Sequence, residues 1–152
     1  MNPDVGPVAQ ECVEAYLFAF PPLRVLLFRR PPERASIWVP VSGKVDPGDV
    51  DFPAALRREL AEETGLVDPV RTVDLDWHVR FAGVDGKPWR LHAYAVEVPA
   101  GWTPRLSREH EAFEWVDADE ARRRLHYEDN RAAIDRLRER LGGPTQGPGP
   151  KV

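Results

Sequence analysis

The chain has 152 residues, 42% of them apolar and 30% charged, with a formal net charge of −4. That length supports one domain with a sizeable core, and the acidic balance argues against a general nucleic-acid binder. Arginine outnumbers lysine 18 to 3. Arginine suits bidentate phosphate contacts, but a GC-rich genome gives the same bias and is the preferred explanation for most of them.

Residues 1–10 read as a short polar arm without the basic-then-apolar order of a secretory signal. No apolar run approaches a membrane span, so the expected location is the cytoplasm, with no membrane partner. Cys12 to Phe20 and Arg24 to Phe28 are apolar runs separated by Phe20-Pro21-Pro22-Leu23, and they predict a hairpin of buried strands. Cys12, the single cysteine, has no intramolecular disulfide partner and reads as a buried structural thiol. Arg29 to Ala35 is a proline-broken loop, and Ile37 to Val41 a short strand leading into a glycine loop. Gly43 and Gly48 bracket that loop around Pro47.

A helix is expected from Phe52 or Pro53, with Asp51 as N-cap, Pro53 in the first turn and Gly65 as C-cap. Val70 to Phe81 reads as a strand, followed by a turn at Asp85-Gly86 and the cleanest strand, Trp89 to Val98. Glu111 to Val116 is a last short strand. Asp117 caps a helix running to about Leu125, and another follows from about Glu128 to Leu141 with Ala132, Ala133, Leu137 and Leu141 inward. The domain proper spans 11–141. The tail 142–152 is expected to be disordered, since seven of the nine residues from Gly142 to Pro150 are Gly or Pro. Strands before and after one central helix, then two helices, predict a mixed-sheet α+β domain, an α/β/α sandwich.

The chemistry concentrates in that central helix. Glu59, Glu62 and Glu63 fall at i, i+3 and i+4 and point into one sector. Leu56 and Leu60 form the apolar stripe beside them, which puts Glu59 and Glu63 near the core boundary. Clustered carboxylates repel, and a divalent cation would remove that cost. An all-oxygen ligand set suits Mg²⁺, with Mn²⁺ as a substitute, better than zinc. A solvated acidic face is the plain alternative for three glutamates alone.

Arg58-Glu59-Leu60-Ala61-Glu62-Glu63-Thr64-Gly65-Leu66 resembles the Nudix hydrolase signature G-x5-E-x7-R-E-U-x-E-E-x-G-U, with U aliphatic, and matches its second half throughout. The first half departs twice: Asp49 stands where the pattern has Glu, and eight residues rather than seven separate it from Arg58. The extra residue falls within 50–53, before the helix, where insertion costs little. The resemblance implies the Nudix fold, a mixed sheet between helices with a loop-helix-loop signature. It also implies metal-dependent hydrolysis of a phosphoanhydride in a nucleoside diphosphate linked to another group.

Carried over by position, the resemblance implies Glu59 and Glu63 as metal ligands. Glu62 follows as a second-metal or water-mediated ligand with a catalytic role, and Gly43 through its carbonyl or by permitting the turn. Arg58 is implied to orient the carboxylates, with Asp49 as a candidate partner. Glu109, in Glu109-His110-x-x-Phe113-x-Trp115, resembles the branch that hydrolyses dATP and dihydroneopterin triphosphate, and is implied as a further ligand or the base. In that setting His110 reads as structural, and Glu111 and Glu114 as solvated strand residues.

Arg29, Arg30 and Lys44 are candidate phosphate contacts, each weighed against a plain surface charge. Trp38 is a candidate for stacking a base, weighed against packing on the helix. Trp77, His78, Arg80, His92 and Tyr94 lie where the family builds substrate pockets, with their facing open.

The expected substrate is a nucleoside or pterin triphosphate cleaved to monophosphate and pyrophosphate. A dinucleoside polyphosphate, ADP-ribose or nucleotide sugar is the alternative substrate. A non-catalytic nucleotide-sensing module is the rival of another class, which the intact Glu59, Glu62 and Glu63 disfavour. The partner is a small phosphorylated molecule. Homodimers are common in the family, and no residue here specifies one.

Overall fold

The computed structural model describes residues 4–141; the expected disordered tail, 142–152, lies outside the described residues. Seven strands form one mixed sheet: β1 (Gln10–Ala19), β2 (Arg24–Arg29), β3 (Trp38–Val39), β4 (Val41–Lys44), β5 (Arg71–Ala82), β6 (Pro88–Glu97) and β7 (Ala112–Val116). Helices α1 (Phe52–Thr64), α2 (Ala118–Arg124) and α3 (Glu128–Arg140) complete the domain.

β1 is the organising strand. On one side it runs parallel to β6 from Gln10 to Phe18. On the other it pairs first with β4, from Cys12 to Ala15, and then with β2, from Leu17 to Ala19. A strand fully covered on both faces needs a continuous apolar run, which explains the near-complete burial of Cys12–Phe18. Its odd and even positions feed two cores. Val13, Ala15 and Leu17 pack with Leu56, Leu60, Tyr94 and Val96 under α1. Tyr16 and Phe18 pack with Ala93, Ala95, Ile134 and Leu137 under α2 and α3.

The caps behave as their side chains require. The Asp51 carboxylate accepts from the Ala54 N–H at 2.8 Å, and Gly65 closes α1 with φ of 80°. Asp117 likewise accepts from the Glu120 N–H at 2.8 Å to start α2.

Four expectations need correction. The single strand over Ile37–Val41 is two, β3 and β4, broken at Pro40, which has no N–H to give a ladder. Gly43 and Lys44 lie in edge strand β4, opposite Val13 and Cys12, rather than in a loop. The Arg29–Ala35 stretch contains a 3-10 turn over Pro32–Arg34. On α3 the fully buried apolar residues are Ala133, Ile134 and Leu137, while Ala132 and Leu141 are half-buried. Among the described residues no helix is long and apolar enough to cross a membrane.

Candidate active site

α1 lays its glutamate sector against edge strand β4. The closest approach is at Gly43: a Cβ there would lie 2.0 Å from the Glu59 Cδ, so any side chain at this position would displace the carboxylate. Burial pushes Glu59 up to about 7, against the opposing pull of Arg58. Glu62 projects outward with 56% of its side chain exposed. Glu63 is half-buried and accepts a short hydrogen bond from the Ser107 hydroxyl.

Arg58 ties the motif together. Its Nε and Nη2 donate to the two Asp49 carboxylate oxygens at 3.1 and 2.9 Å, and Nη2 also donates to the Lys44 carbonyl at 2.9 Å. Nη1 lies between Glu59 and Glu62, 3.2 Å from each. The guanidinium holds the Asp49 carboxyl below its ordinary range. Asp49 reaches Arg58 despite the extra residue, because residues 46–49 form a tight turn (Asp49 N–H to Asp46 carbonyl, 2.9 Å) and Asp51 restarts the chain as the helix cap.

Among the described residues, no three Asp, Glu, His or Cys side chains converge as they would around an ion, and Arg58 fills the space between Glu59 and Glu62. The residues nevertheless suit a divalent cation. Glu59 is pressed into a notch that any Cβ would fill, its charge is undercompensated, and the surrounding donors are oxygens.

A cavity of about 430 Å³ opens on the opposite face of β4. Cys12 and Glu14 of β1, Ser42 and Lys44 of β4, and Arg30 and Arg34 line one part of it. Val79 and Phe81 of β5 with Trp89 and Leu91 of β6 form an apolar wall, and Tyr127 and Asn130 close the α3 side. Burial pushes the Cys12 thiol up to about 11, so it stays neutral.

The remaining candidates separate by strand parity. Arg30 reaches the cavity beside the Tyr127 ring, whereas Arg29 points away, paired with Glu111 at 2.9 Å. Lys44 lines the cavity with its Nζ 5.3 Å from the Trp89 ring centre. Trp38 lies outside the cavity lining, near Arg29 and Arg124 at 5.6 and 4.6 Å, packed on the α2–α3 core.

His78 and His92 face the other side of the sheet, their Nδ1 atoms 2.7 Å apart and His92 stacked on Phe52, and Tyr94 joins the core under α1. Trp77 packs against the α3 core under the Arg136 guanidinium. Arg80 bonds the Gly6 carbonyl. The pocket walls are therefore the alternate positions, Val79, Phe81, Trp89 and Leu91.

Glu109 turns its carboxylate to Arg34 at 2.8 Å, 52% exposed. Its link to the helix glutamates runs through the backbone: Glu109 N–H donates at 3.0 Å to the Ser107 hydroxyl that holds Glu63. His110 is buried against Phe28, which drives it down to about 4 and leaves it neutral.

Sequence reasoning missed Glu14, Ser107 and Tyr127. A lone acid inside the Cys12–Phe20 run was the available signal for Glu14. Ser107 and Tyr127 carry no local signal.

A mixed sheet between helices, with a glutamate helix docked on a glycine of an edge strand, is the arrangement that holds the site. The NUDIX domain model matches residues 13–137, and the chain belongs to this family of hydrolases. It is 43% identical over 119 residues to an octanoyltransferase of Myxococcus xanthus, covering 76% of this chain but about a third (32%) of that protein.

It is also 33% identical over 105 residues to the asymmetrical bis(5'-nucleosyl)-tetraphosphatase of Rattus norvegicus, covering 64% of this chain and 67% of the relative. The solved E. coli dihydroneopterin triphosphate pyrophosphohydrolase superposes with a TM-score of 0.72 at 22% identity, covering 86% of this chain and 97% of that one.

Proposed function

We propose that this chain hydrolyses a phosphoanhydride of a nucleoside or pterin triphosphate, giving the monophosphate and pyrophosphate, with Mg²⁺ or Mn²⁺ as cofactor. The observation that carries the reading is the placement of the glutamate sector on one face of edge strand β4 and a cation-lipped cavity on the other. A triphosphate lying across this edge would meet Lys44, Arg30 and Arg34 with its charge while its ring entered the cavity.

Glu59 and Glu63 would hold the cation, with Glu62 and the Gly43 carbonyl as further donors; when bound, it supplies charge neutralisation and an acidified water. Arg58 keeps the carboxylates apart and aligned. Glu62 is exposed enough to exchange a proton with an attacking water, and Glu109 is the second candidate for that proton, reached by rotation away from Arg34.

A second reading, cleavage of a dinucleoside polyphosphate, is favoured by the rat relative at 33% identity. A Mg²⁺-dependent screen across nucleoside and pterin triphosphates, dinucleoside polyphosphates, ADP-ribose and nucleotide sugars, scored by product, separates them. Pyrophosphate from a triphosphate supports the first reading, and two nucleotides the second. Loss of turnover in a folded Glu63→Gln variant supports catalysis by the helix site. Nucleotide binding without turnover in wild type and variant alike would assign a sensing module instead.

A further inference from the structure

One buried acid in the cavity has no part in the reading above. Glu14 is 6% exposed, lines the cavity, and sits across from Ser42, one position from the strand residue on which Glu59 packs. Its Oε1 ends a directional chain. The Tyr127 N–H donates to Asn130 Oδ1 at 3.2 Å, Asn130 Nδ2 donates to the Tyr16 hydroxyl at 3.0 Å, and that hydroxyl donates to Glu14 Oε1 at 2.6 Å. The backbone N–H at the start orients the Asn130 amide, and with Glu14 ionised the Tyr16 proton goes to Oε1.

The carboxyl lines the cavity and is held there through Oε1. Oε1 is thus fixed at the cavity wall, where the carboxyl can meet a ligand.

We propose that Glu14 is the ring-selecting residue of this cavity, its carboxylate accepting the adjacent N–H donors of a 2-amino-4-oxo pyrimidine edge, as found in guanine and pterin rings. The inference rests on the cavity being the substrate's ring site. Each carboxylate oxygen has two acceptor positions, so Oε1 can keep Tyr16 and still take a second donor beside the one on Oε2. The wall of Phe81, Trp89 and Leu91 offers apolar contact to a planar ring, and Arg30 and Lys44 add positive charge to the same lining. Burial pushes Glu14 up to about 7, so the acceptor form dominates in mildly alkaline solution.

The test compares GMP with IMP, which lacks the 2-amino group, by equilibrium binding to the full chain at pH 8.5. GTP and ITP are compared in parallel by kcat/KM with Mg²⁺. The expected result is at least about a tenfold preference for the amino-bearing ring, set by a hydrogen bond to a charged group. In Glu14→Gln, whose Nε2 cannot accept, the ratio falls to within about twofold of unity. A wild-type ratio near one, or a ratio unchanged in Glu14→Gln, overturns the proposal.

If GMP is preferred in binding and no nucleoside triphosphate, pterin triphosphate or dinucleoside polyphosphate is cleaved, the hydrolase reading falls and the ring assignment stands. Should Glu14→Gln fail to fold, Tyr16→Phe removes only the hydroxyl that holds Oε1. A reduced ratio there supports the proposal and an unchanged ratio overturns it. A parallel arm with dihydroneopterin triphosphate ranks the two ring sources, and cleavage of ITP in preference to both overturns it as well.

Discussion

Gly43 and Glu59 are in direct contact across the β4–α1 junction: the space a Cβ would take at Gly43 is filled by the Glu59 carboxylate, 2.0 Å from its Cδ. A flexible side chain can yield, but doing so moves the carboxylate off the strand edge where a phosphate and its cation would meet. Gly43→Ala is therefore expected to keep the fold and lose on the order of 10²-fold in kcat, the effect of an ångström-scale misplacement. Circular dichroism and steady-state hydrolysis of the substrate found by screening check both halves.

Arg58→Lys is expected to be nearly as damaging as loss of a ligand. A single ammonium cannot serve both Asp49 oxygens, the Lys44 carbonyl, Glu59 and Glu62 at once. The expected outcome is a drop of tenfold or more in kcat and a raised Mg²⁺ requirement, read from metal titrations of the initial rate. A lysine variant with wild-type rate and metal dependence would refute the positioning role.

Ser107→Ala tests the link between the 99–111 loop and α1. The hydroxyl donates to Glu63 and accepts from the Glu109 N–H. Its loss should raise the apparent Mg²⁺ constant several-fold, while the melting temperature changes little because one hydrogen bond contributes about 1 kcal/mol.

Glu14 also predicts a pH dependence of stability. Burial raises it from 4.5 to about 7, opposed by Tyr16 and Arg30 and assisted by Asp129. Below about pH 4.5 both folded and unfolded chains carry the proton. Between 4.5 and 7 the unfolded chain releases it first, so this group's contribution to stability is lost as pH rises through the folded value. Glu14→Gln should therefore gain relative to wild type on going from pH 5 to pH 8, by at most about 3 kcal/mol at 1.36 kcal/mol per unit. Paired urea melts at the two pH values measure the difference, and a wild-type-minus-variant stability that does not change with pH would contradict it.

The local parts of this protein were legible in its sequence. Asp51 and Gly65 bounded α1, Asp117 started α2, the central strand run was visible from Cys12, and three glutamates at i, i+3 and i+4 shared a sector. Each follows from interactions within a few residues, namely capping bonds and helical periodicity. The family signature supplied the fold.

What only the tertiary structure decided was how distant segments meet. Gly43 lies in an edge strand because Val13 pairs with it, and this edge puts the glutamates on one side and the cavity on the other. Arg30 reaches the cavity and Arg29 does not, and the walls fall on Val79, Phe81, Trp89 and Leu91 rather than on His78 and His92. A strand's face is set by its register with a partner, since a shift of one residue inverts every side chain. Glu14 became a candidate only when Tyr16 and Asn130, 114 residues apart, met beside it. No pattern within β1 alone encodes that meeting.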